Sequence, residues 1–377
     1  MTLTAWIVLA VAVVVAFVVG YLVGGTRNKT THTTPQEAEQ TTAATTSAAE
    51  TPDTAPQPPR RRAAIIYNPT KNEMDTLKSV ATTVCRNEGW DEPLFIETTK
   101  DDPGTSMAHE AREKGAEVVI AAGGDGTVRA IAEALADTDV PMGIIPMGTG
   151  NLLARNLSIP LNRFEWAMRV ALWGQDRMID AARLRTSPDG EDTLFTVMAG
   201  IGYDATVMSN TSEDAKSRMG WWAYVRQGSR QLLGKPTEVR IQFDDGEEET
   251  RKIRSILGGN CGKVQGGIEL IPGAVIDDGH LDVLTVTPRN VAEWVSVVTS
   301  IAGRSRKGMH ADVTKCAAVK VRAEKELDVQ VDGDVLGETD YLELSVLPNA
   351  LTVRTPSPEQ ERHIRLDSLS LGMARRD

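Results

Sequence analysis

The sequence predicts an α/β domain built on a parallel sheet, joined to a β-rich antiparallel second domain, with a single apolar span near the N-terminus. Three observations predict it. Between residues 63 and 157, short apolar runs alternate with helical-period stretches and short loops, which is how parallel strands covered by helices are written in sequence. From about residue 158 the pattern changes to many short strands separated by turn residues such as Asp245-Gly246 and Asp278-Gly279, which suits antiparallel pairing. Ahead of both, residues 5–23 run without a charged side chain, close to the roughly 20 apolar residues a membrane-spanning helix needs.

Residues 1–25 are expected to be a transmembrane anchor. Trp6 and Tyr21 lie near the two ends of the run, where interfacial aromatics belong. A cleaved signal peptide is the competing reading, but Met1–Thr4 lacks a basic side chain and no Ala-x-Ala cleavage site is obvious after the apolar run. Arg27, Lys29 and Arg60–Arg62 follow the span, so the positive-inside rule puts the rest of the chain in the cytoplasm of a single-pass cell-membrane protein. Residues 26–62, rich in Thr, Ala, Pro and Gln, cannot bury enough apolar surface to fold and read as a disordered linker.

A net charge of −11 argues against nucleic acid as a partner. Three scattered cysteines and five unclustered histidines suggest neither a disulfide framework nor a zinc site.

In the first domain, 63–157, strands are expected at 63–67, 93–97, 117–122 and 142–146. Helices are expected at 75–87, 106–114, 128–136 and 152–156. Ligands of such a sheet bind at the carboxyl ends of its strands. Four loops share that edge: the turn at Asn68, the Thr98–Thr99 loop, Gly123-Gly-Asp-Gly-Thr127, and Met147-Gly-Thr-Gly-Asn151. The third is the centre of the chain. Its glycines let backbone N–H groups approach an anion, and it runs into a helix N-terminus that favours phosphate. Two glycine loops on one edge suit a nucleoside triphosphate. Asp125 is the anomaly, because a carboxylate beside a phosphate must hold a metal ion or take a proton. The plain alternative is a strand-to-helix turn that uses glycine only for its geometry.

The second domain is expected to cover 158–350, with a helix at 164–172 and another at 290–301. Strands are expected at 177–185, 193–199, 237–243, 252–258, 281–287, 319–323, 327–331 and 342–347, the last of which return to the first domain or stay in the second. Residues 351–377 read as a flexible polar tail.

The ordered set of motifs resembles the diacylglycerol kinase catalytic family, which includes bacterial lipid kinases and the sphingosine kinases. The resemblance rests on Gly123-Gly-Asp-Gly-Thr-Val128, Pro146-Met-Gly-Thr-Gly-Asn-Leu-Leu-Ala-Arg155, Gly200-Ile-Gly-Tyr-Asp-Ala205 and Gly258-Gly-Asn260. It continues through the run from Gly266 to Asp282 that contains Ile276-Asp-Asp-Gly-His280, and ends at Val331-Asp-Gly-Asp334. It covers about 63–347. The first motif alone is also similar to NAD kinases and phosphofructokinases; the later motifs narrow the family.

The resemblance implies transfer of the ATP γ-phosphate to a lipid hydroxyl with Mg²⁺, on an NAD kinase/diacylglycerol kinase-like fold. Diacylglycerol, giving phosphatidic acid, is the first expectation for the acceptor. By resemblance, Asn68, Thr99 (or Thr98), Gly123, Gly124, Asp125, Gly126, Thr127, Val128, Arg129 and Thr149 line the ATP site. A metal ion is held by the Asp278 carboxylate and the backbone carbonyls near Val275 and His280. Asp334 matches the proton acceptor of bacterial members, one methylene shorter than their Glu. Asp125 matches the base of other branches, and Asp204 matches an acid that recognises the lipid head. Structural alternatives stand beside each: turn residues for Asp334, Asp277 and Asp278, a helix cap for Asp204, loop hydrogen bonding for Thr149 and Asn151.

The chemistry fits these residue types. Phosphoryl transfer is catalysed mainly by positioning and charge stabilisation. Mg²⁺ prefers oxygen ligands, and a second carboxylate within about 3 Å of the hydroxyl accepts its proton. One further stretch, residues 216–235, carries five basic side chains interleaved with Trp221, Trp222 and Tyr224, and reads as a membrane-surface segment or as an ordinary helix with buried aromatics. The expected partners are a membrane lipid, the bilayer surface and a second copy of the chain as a homodimer. Two other functions compete: a NAD-kinase-like kinase of a soluble substrate, and a non-catalytic lipid- or nucleotide-sensing scaffold.

Overall fold

The structure, a computed structural model, describes residues 61–71, 73–161, 163–202, 236–265, 268–308 and 310–373. Its first four strands, β1 (Ala63–Tyr67), β2 (Leu94–Glu97), β3 (Val118–Gly123) and β4 (Met142–Pro146), lie parallel in the order β4-β3-β1-β2. β1 is buried at every position. Ala64 and Ile66 face one core, shared with α2 (Thr105–Glu113) and α3 (Asp125–Leu135). Ala63, Ile65 and Tyr67 face another, shared with α1 (Met74–Asn87) and α5 (Phe164–Trp173). Helices on both faces are the reason these strands are apolar without alternation. α1 turns Leu77, Ala81, Val84 and Cys85 inward at helical spacing.

The second lobe is antiparallel. β5 (Gln175–Arg185), β6 (Thr193–Phe195), β7 (Met198–Ile201), β8 (Thr237–Phe243), β9 (Glu249–Ile253), β10 (Ser255–Gly259), β11 (Leu281–Val286), β12 (Ala311–Cys316), β13 (Ala318–Val331) and β14 (Asp334–Thr355) surround an apolar core that includes Leu184, Phe195, Ile241, Ile256, Val321 and Leu342. α4 (Leu152–Asn156) leads toward α5 and this lobe, and α6 (Val291–Ala302) packs beside β12. The Asn290 side chain caps α6 by accepting the Glu293 N–H, and the Glu293 carboxylate in turn accepts the Arg289 N–H and the Asn290 side-chain amide, a reciprocal cap.

The parallel first domain and the β-rich second one are both present, but among the described residues they share one continuous sheet. The join is β14. Its first part pairs with β13, and its last residues pair antiparallel with β5 while Val353 meets Met142 of β4 in parallel. The last strand therefore does return to the first lobe.

Several elements differ from expectation for identifiable reasons. The strand expected at 193–199 breaks after Phe195 because the N–H groups of Thr196, Val197 and Met198 all turn onto the buried Asp332 carboxylate. The strand expected at 252–258 is two, parted at Arg254, because β9 pairs with β8 whereas β10 pairs with β7 and β11. The strands expected at 319–323 and 327–331 are one, with an irregular register between Arg322 and Leu327. Residues 351–373 are not a flexible tail. Strand β14 continues to Thr355, and α7 (Pro358–Met373) follows. Asp367 holds α7 on α5 by pairing with Arg163 and accepting the Trp166 indole N–H at 2.8 Å.

The expected single-pass membrane placement is corrected here. Among the described residues no helix is long and apolar enough to cross a membrane. The proposed anchor at 1–25 and linker at 26–62 lie outside the described residues up to Arg60, as do Asp204 and the whole of the basic stretch 216–235.

Candidate active site

The sheet's carboxyl edge carries the two glycine loops face to face. The first connects β3 to α3, whose first residue is Asp125. Among the described residues no side chain caps α3, so the amides of Asp125, Gly126 and Thr127 in its first turn have neither an intrahelical partner nor a capping one. Together with the helix dipole they form an anion site. The second loop runs from Met147 to Asn151. Asn151 adopts a left-handed backbone (φ 49°) and closes the loop on itself: its Oδ1 accepts the Gly148 N–H at 2.9 Å and its Nδ2 donates to Gly148 O at 2.7 Å. Arg155 Nε donates to Gly150 O at 2.6 Å.

Glycine is required where the loops meet. A Cβ on Gly148 would stand 2.6 Å from Gly124 Cα, and one on Gly150 would stand 2.5 Å from Asp125 Oδ2. The absent side chains let Asp125 cross between the loops. Its Oδ2 accepts the Asn151 N–H at 2.9 Å and its Oδ1 the Leu152 N–H at 2.6 Å. Burial is the main reason its carboxyl is pushed up to about 6; the two amide hydrogen bonds oppose that rise, and the Asp332 and Asp334 charges add to it.

The second lobe contributes the β13–β14 hairpin. Asp332, 2% exposed, takes the Thr196, Val197 and Met198 amides and the Thr196 hydroxyl. Burial raises its pKa, against those hydrogen bonds and the Arg129 charge. With Asp332 fixed, Asp334 projects from the hairpin toward α3. Its Oδ2 pairs with Arg129 at 3.0 Å and lies 3.4 Å from where a Cβ on Gly126 would be. Arg129 also donates to Val331 O at 3.0 Å, so one guanidinium bridges the first-lobe helix and the second-lobe hairpin.

The sequence candidates fall into four groups. Gly123, Gly124, Asp125, Gly126, Thr127, Arg129, Thr149 and Asp334 converge on this cleft; the Thr149 carbonyl accepts the Gln265 side chain at 3.3 Å. Val128 gives its amide to Gly124 O and buries its side chain in the core, so it offers nothing to a phosphate. Asn68 and Thr99 lie on the same edge in closed turns: Asn68 Oδ1 accepts the Thr70 N–H at 3.0 Å, and Thr99 Oγ1 accepts the Asp102 N–H at 3.0 Å. Asp102 in turn accepts the Gly104, Thr105 and Ser106 amides of α2.

Val275, Asp278 and His280 lie in another loop, on the second lobe. Asp278 is paired with Lys315 and also accepts the His280 N–H at 3.1 Å, while Asp278 O takes the His280 Nδ1–H at 2.7 Å. With a lysine ammonium already on its one carboxylate, this donor set does not fit a resident divalent cation. Among the described residues no group of three or more His, Cys, Asp and Glu side chains is placed to hold a metal.

Sequence reasoning missed Asp332, Lys315 and Asp180. Asp180, fully buried, accepts the amides of Gly279 and Asn349. The only signal for Asp332 was its place in Asp332-Gly333-Asp334; Asp180 and Lys315 lie within strands and carried none.

The chain is similar to known proteins along most of its length. Residues 62–184 match the diacylglycerol kinase catalytic domain, and residues 197–355 match the YegS C-terminal NAD kinase beta sandwich-like domain. The diacylglycerol kinase of Bacillus subtilis is 31% identical over 283 residues, 74% of this chain and 91% of that protein. The diacylglycerol kinase of Staphylococcus aureus is 29% identical over 286 residues, 74% and 88% of the two chains. A crystal structure of a diacylglycerol kinase from Bacillus anthracis shares the fold, with a TM-score of 0.62 at 22% identity, covering 80% of this chain and 99% of that one. The chain belongs to the diacylglycerol kinase catalytic domain family and is an ATP-dependent lipid kinase.

Proposed function

We propose that the lipid acceptor is diacylglycerol and that the product is phosphatidic acid. The observation that carries the site assignment is the position of Asp334, a carboxylate from the second lobe held over Gly126 at the open N-terminus of α3. The amides of Asp125, Gly126 and Thr127 bind the terminal phosphate oxygens of ATP. The lipid hydroxyl oxygen attacks the γ-phosphorus, the bond from that phosphorus to the bridging oxygen of ADP breaks, and the hydroxyl proton passes to Asp334. Arg129 orients Asp334 and keeps the hairpin against α3. Asp125 ties the two glycine loops into one cradle. Mg²⁺ arriving with ATP would neutralise the phosphate oxygens. The relatives named diacylglycerol kinase support diacylglycerol over other lipid alcohols.

The test is a γ-labelled ATP assay with Mg²⁺ against diacylglycerol, ceramide, sphingosine and NAD. Label in phosphatidic acid is the expected result. Label in another lipid overturns the acceptor, and label in NADP overturns the lipid reading itself.

A further inference from the structure

We propose that Lys315 is a built-in cation for the loop between Ile276 and Leu281, taking the place that family resemblance gives to a divalent metal, so that this loop is ordered without one. This goes beyond the proposed reaction and does not depend on which lipid is the acceptor.

The loop is braced from beneath by the chain itself. Asp180 donates its N–H to Ile276 O at 2.8 Å and accepts the Gly279 N–H at 2.6 Å and the Asn349 N–H at 2.7 Å. Gly279 takes a left-handed φ of 72°, which turns the chain so that the Asp278 side chain and carbonyl both meet His280. Each acidic side chain of Asp277, Asp278 and Asp282 then has its own cation. Arg177 reaches Asp277 through Nε at 2.9 Å and Nη2 at 2.7 Å. Lys315 pairs with Asp278, and Arg306 pairs with the buried Asp282. β12 places Lys315 directly opposite Asp282 in the antiparallel register, which brings its ammonium under the turn.

Asp277, Asp278 and Asp282 are thus each matched by a cation, and the fourth acid at the loop, Asp180, is spent on the Gly279 and Asn349 amides. Two of the loop's carbonyls are also committed, Ile276 O to Asp180 and Asp278 O to His280. A metal here would have to displace an ammonium and bear its repulsion at close range. The side chains of Lys315 and Asp278 are 39% and 23% exposed, so the pair is a modest stabiliser, and its main role is to occupy the position.

The experiment uses the full chain without nucleotide. Mg²⁺ is titrated calorimetrically into wild type and D278N, and melting temperature is followed in EDTA and in millimolar Mg²⁺ for wild type, K315M and K315M/D278N. Wild type is expected to melt at the same temperature with and without Mg²⁺. K315M is expected to melt about 2 °C lower in EDTA and to regain that loss when Mg²⁺ is added, because an unpaired Asp278 then faces the carbonyls. K315M/D278N is expected to show no Mg²⁺ response. Stoichiometric Mg²⁺ binding by wild type that disappears in D278N would overturn the proposal, as would a K315M protein indifferent to Mg²⁺. If K315M fails to fold, the wild-type and D278N titrations decide the matter alone.

Discussion

Two loops rich in Asp and Gly, one at 123–127 and one at 276–280, treat their carboxylates in opposite ways. Among the described residues Asp125 accepts only backbone amides, and no side-chain cation is hydrogen-bonded to it. Asp277 and Asp278 are each paired with a side-chain cation. The first arrangement leaves a half-buried carboxylate with a raised pKa beside unspent helix N–H groups. The second leaves a neutral, self-sufficient turn. The lesson is that the same residue types at a bend make a reactive cradle or a structural clasp according to whether the fold supplies counter-charges. Arg129 marks the boundary: it serves Asp334, not Asp125.

The largest effect that would break this comparison is expected from D334N. Losing a positioned proton acceptor should lower kcat by about 10²–10⁴-fold, with ATP affinity, read by fluorescent-nucleotide binding, little changed. A variant that kept wild-type kcat would remove Asp334 from the reaction. Next comes G148A. Its Cβ would press on Gly124 Cα at 2.6 Å, forcing the two glycine loops apart. It should cost about 1–3 kcal/mol of stability in denaturant titration, with at least a tenfold rise in KM for ATP. Retained KM would mean that the contact between the loops does not shape the nucleotide site.

A third, smaller effect separates the loops by pH. The folded pKa of Asp125, about 6, lies above its ordinary value of 3.8. The folded state therefore holds its proton more tightly than the unfolded chain does. This contribution to stability is complete below about pH 4 and is lost as pH rises through 6. D125N should flatten that part of the stability–pH curve, measured by melting between pH 4 and 7; an unchanged slope would show that Asp125 titrates normally. The smallest effect is expected from R177M, which removes one of the clasp's surface cations. A partly exposed pair of this kind is worth less than about 1 kcal/mol, and lipid kinase activity should stay at the wild-type level. A large loss of activity would join the two loops that the comparison sets apart.

Much of the first lobe was legible in the sequence because its strands are buried on both faces. Runs such as 63–67 and 142–146 are apolar throughout, and the observed strands match them residue for residue. The second lobe was less legible at its breaks. Thr196 and Val197 are good strand residues, but a carboxylate 135 or more positions away captures their amides. The α7 helix was missed for a related reason. Its side chains carry little helical periodicity, and what holds it is a set of polar contacts to Arg163 and Trp166, far away in sequence.

By itself the sequence determined where the chain turns tightly from strand into helix, because glycine in place of a side chain and a helix starting directly after it act over a few bonds. It also determined the family, since those motifs recur in order. Only the tertiary structure decided which partners each acid has. Asp125, Asp278, Asp332 and Asp334 are chemically almost alike, and their roles follow from partners that arrive from distant strands: backbone amides for the first and third, a lysine for the second, an arginine over an open helix end for the last. The physical reason is that a carboxylate's behaviour is set by its burial and by the charges and donors within a few ångströms, neither of which is encoded next to it in the chain.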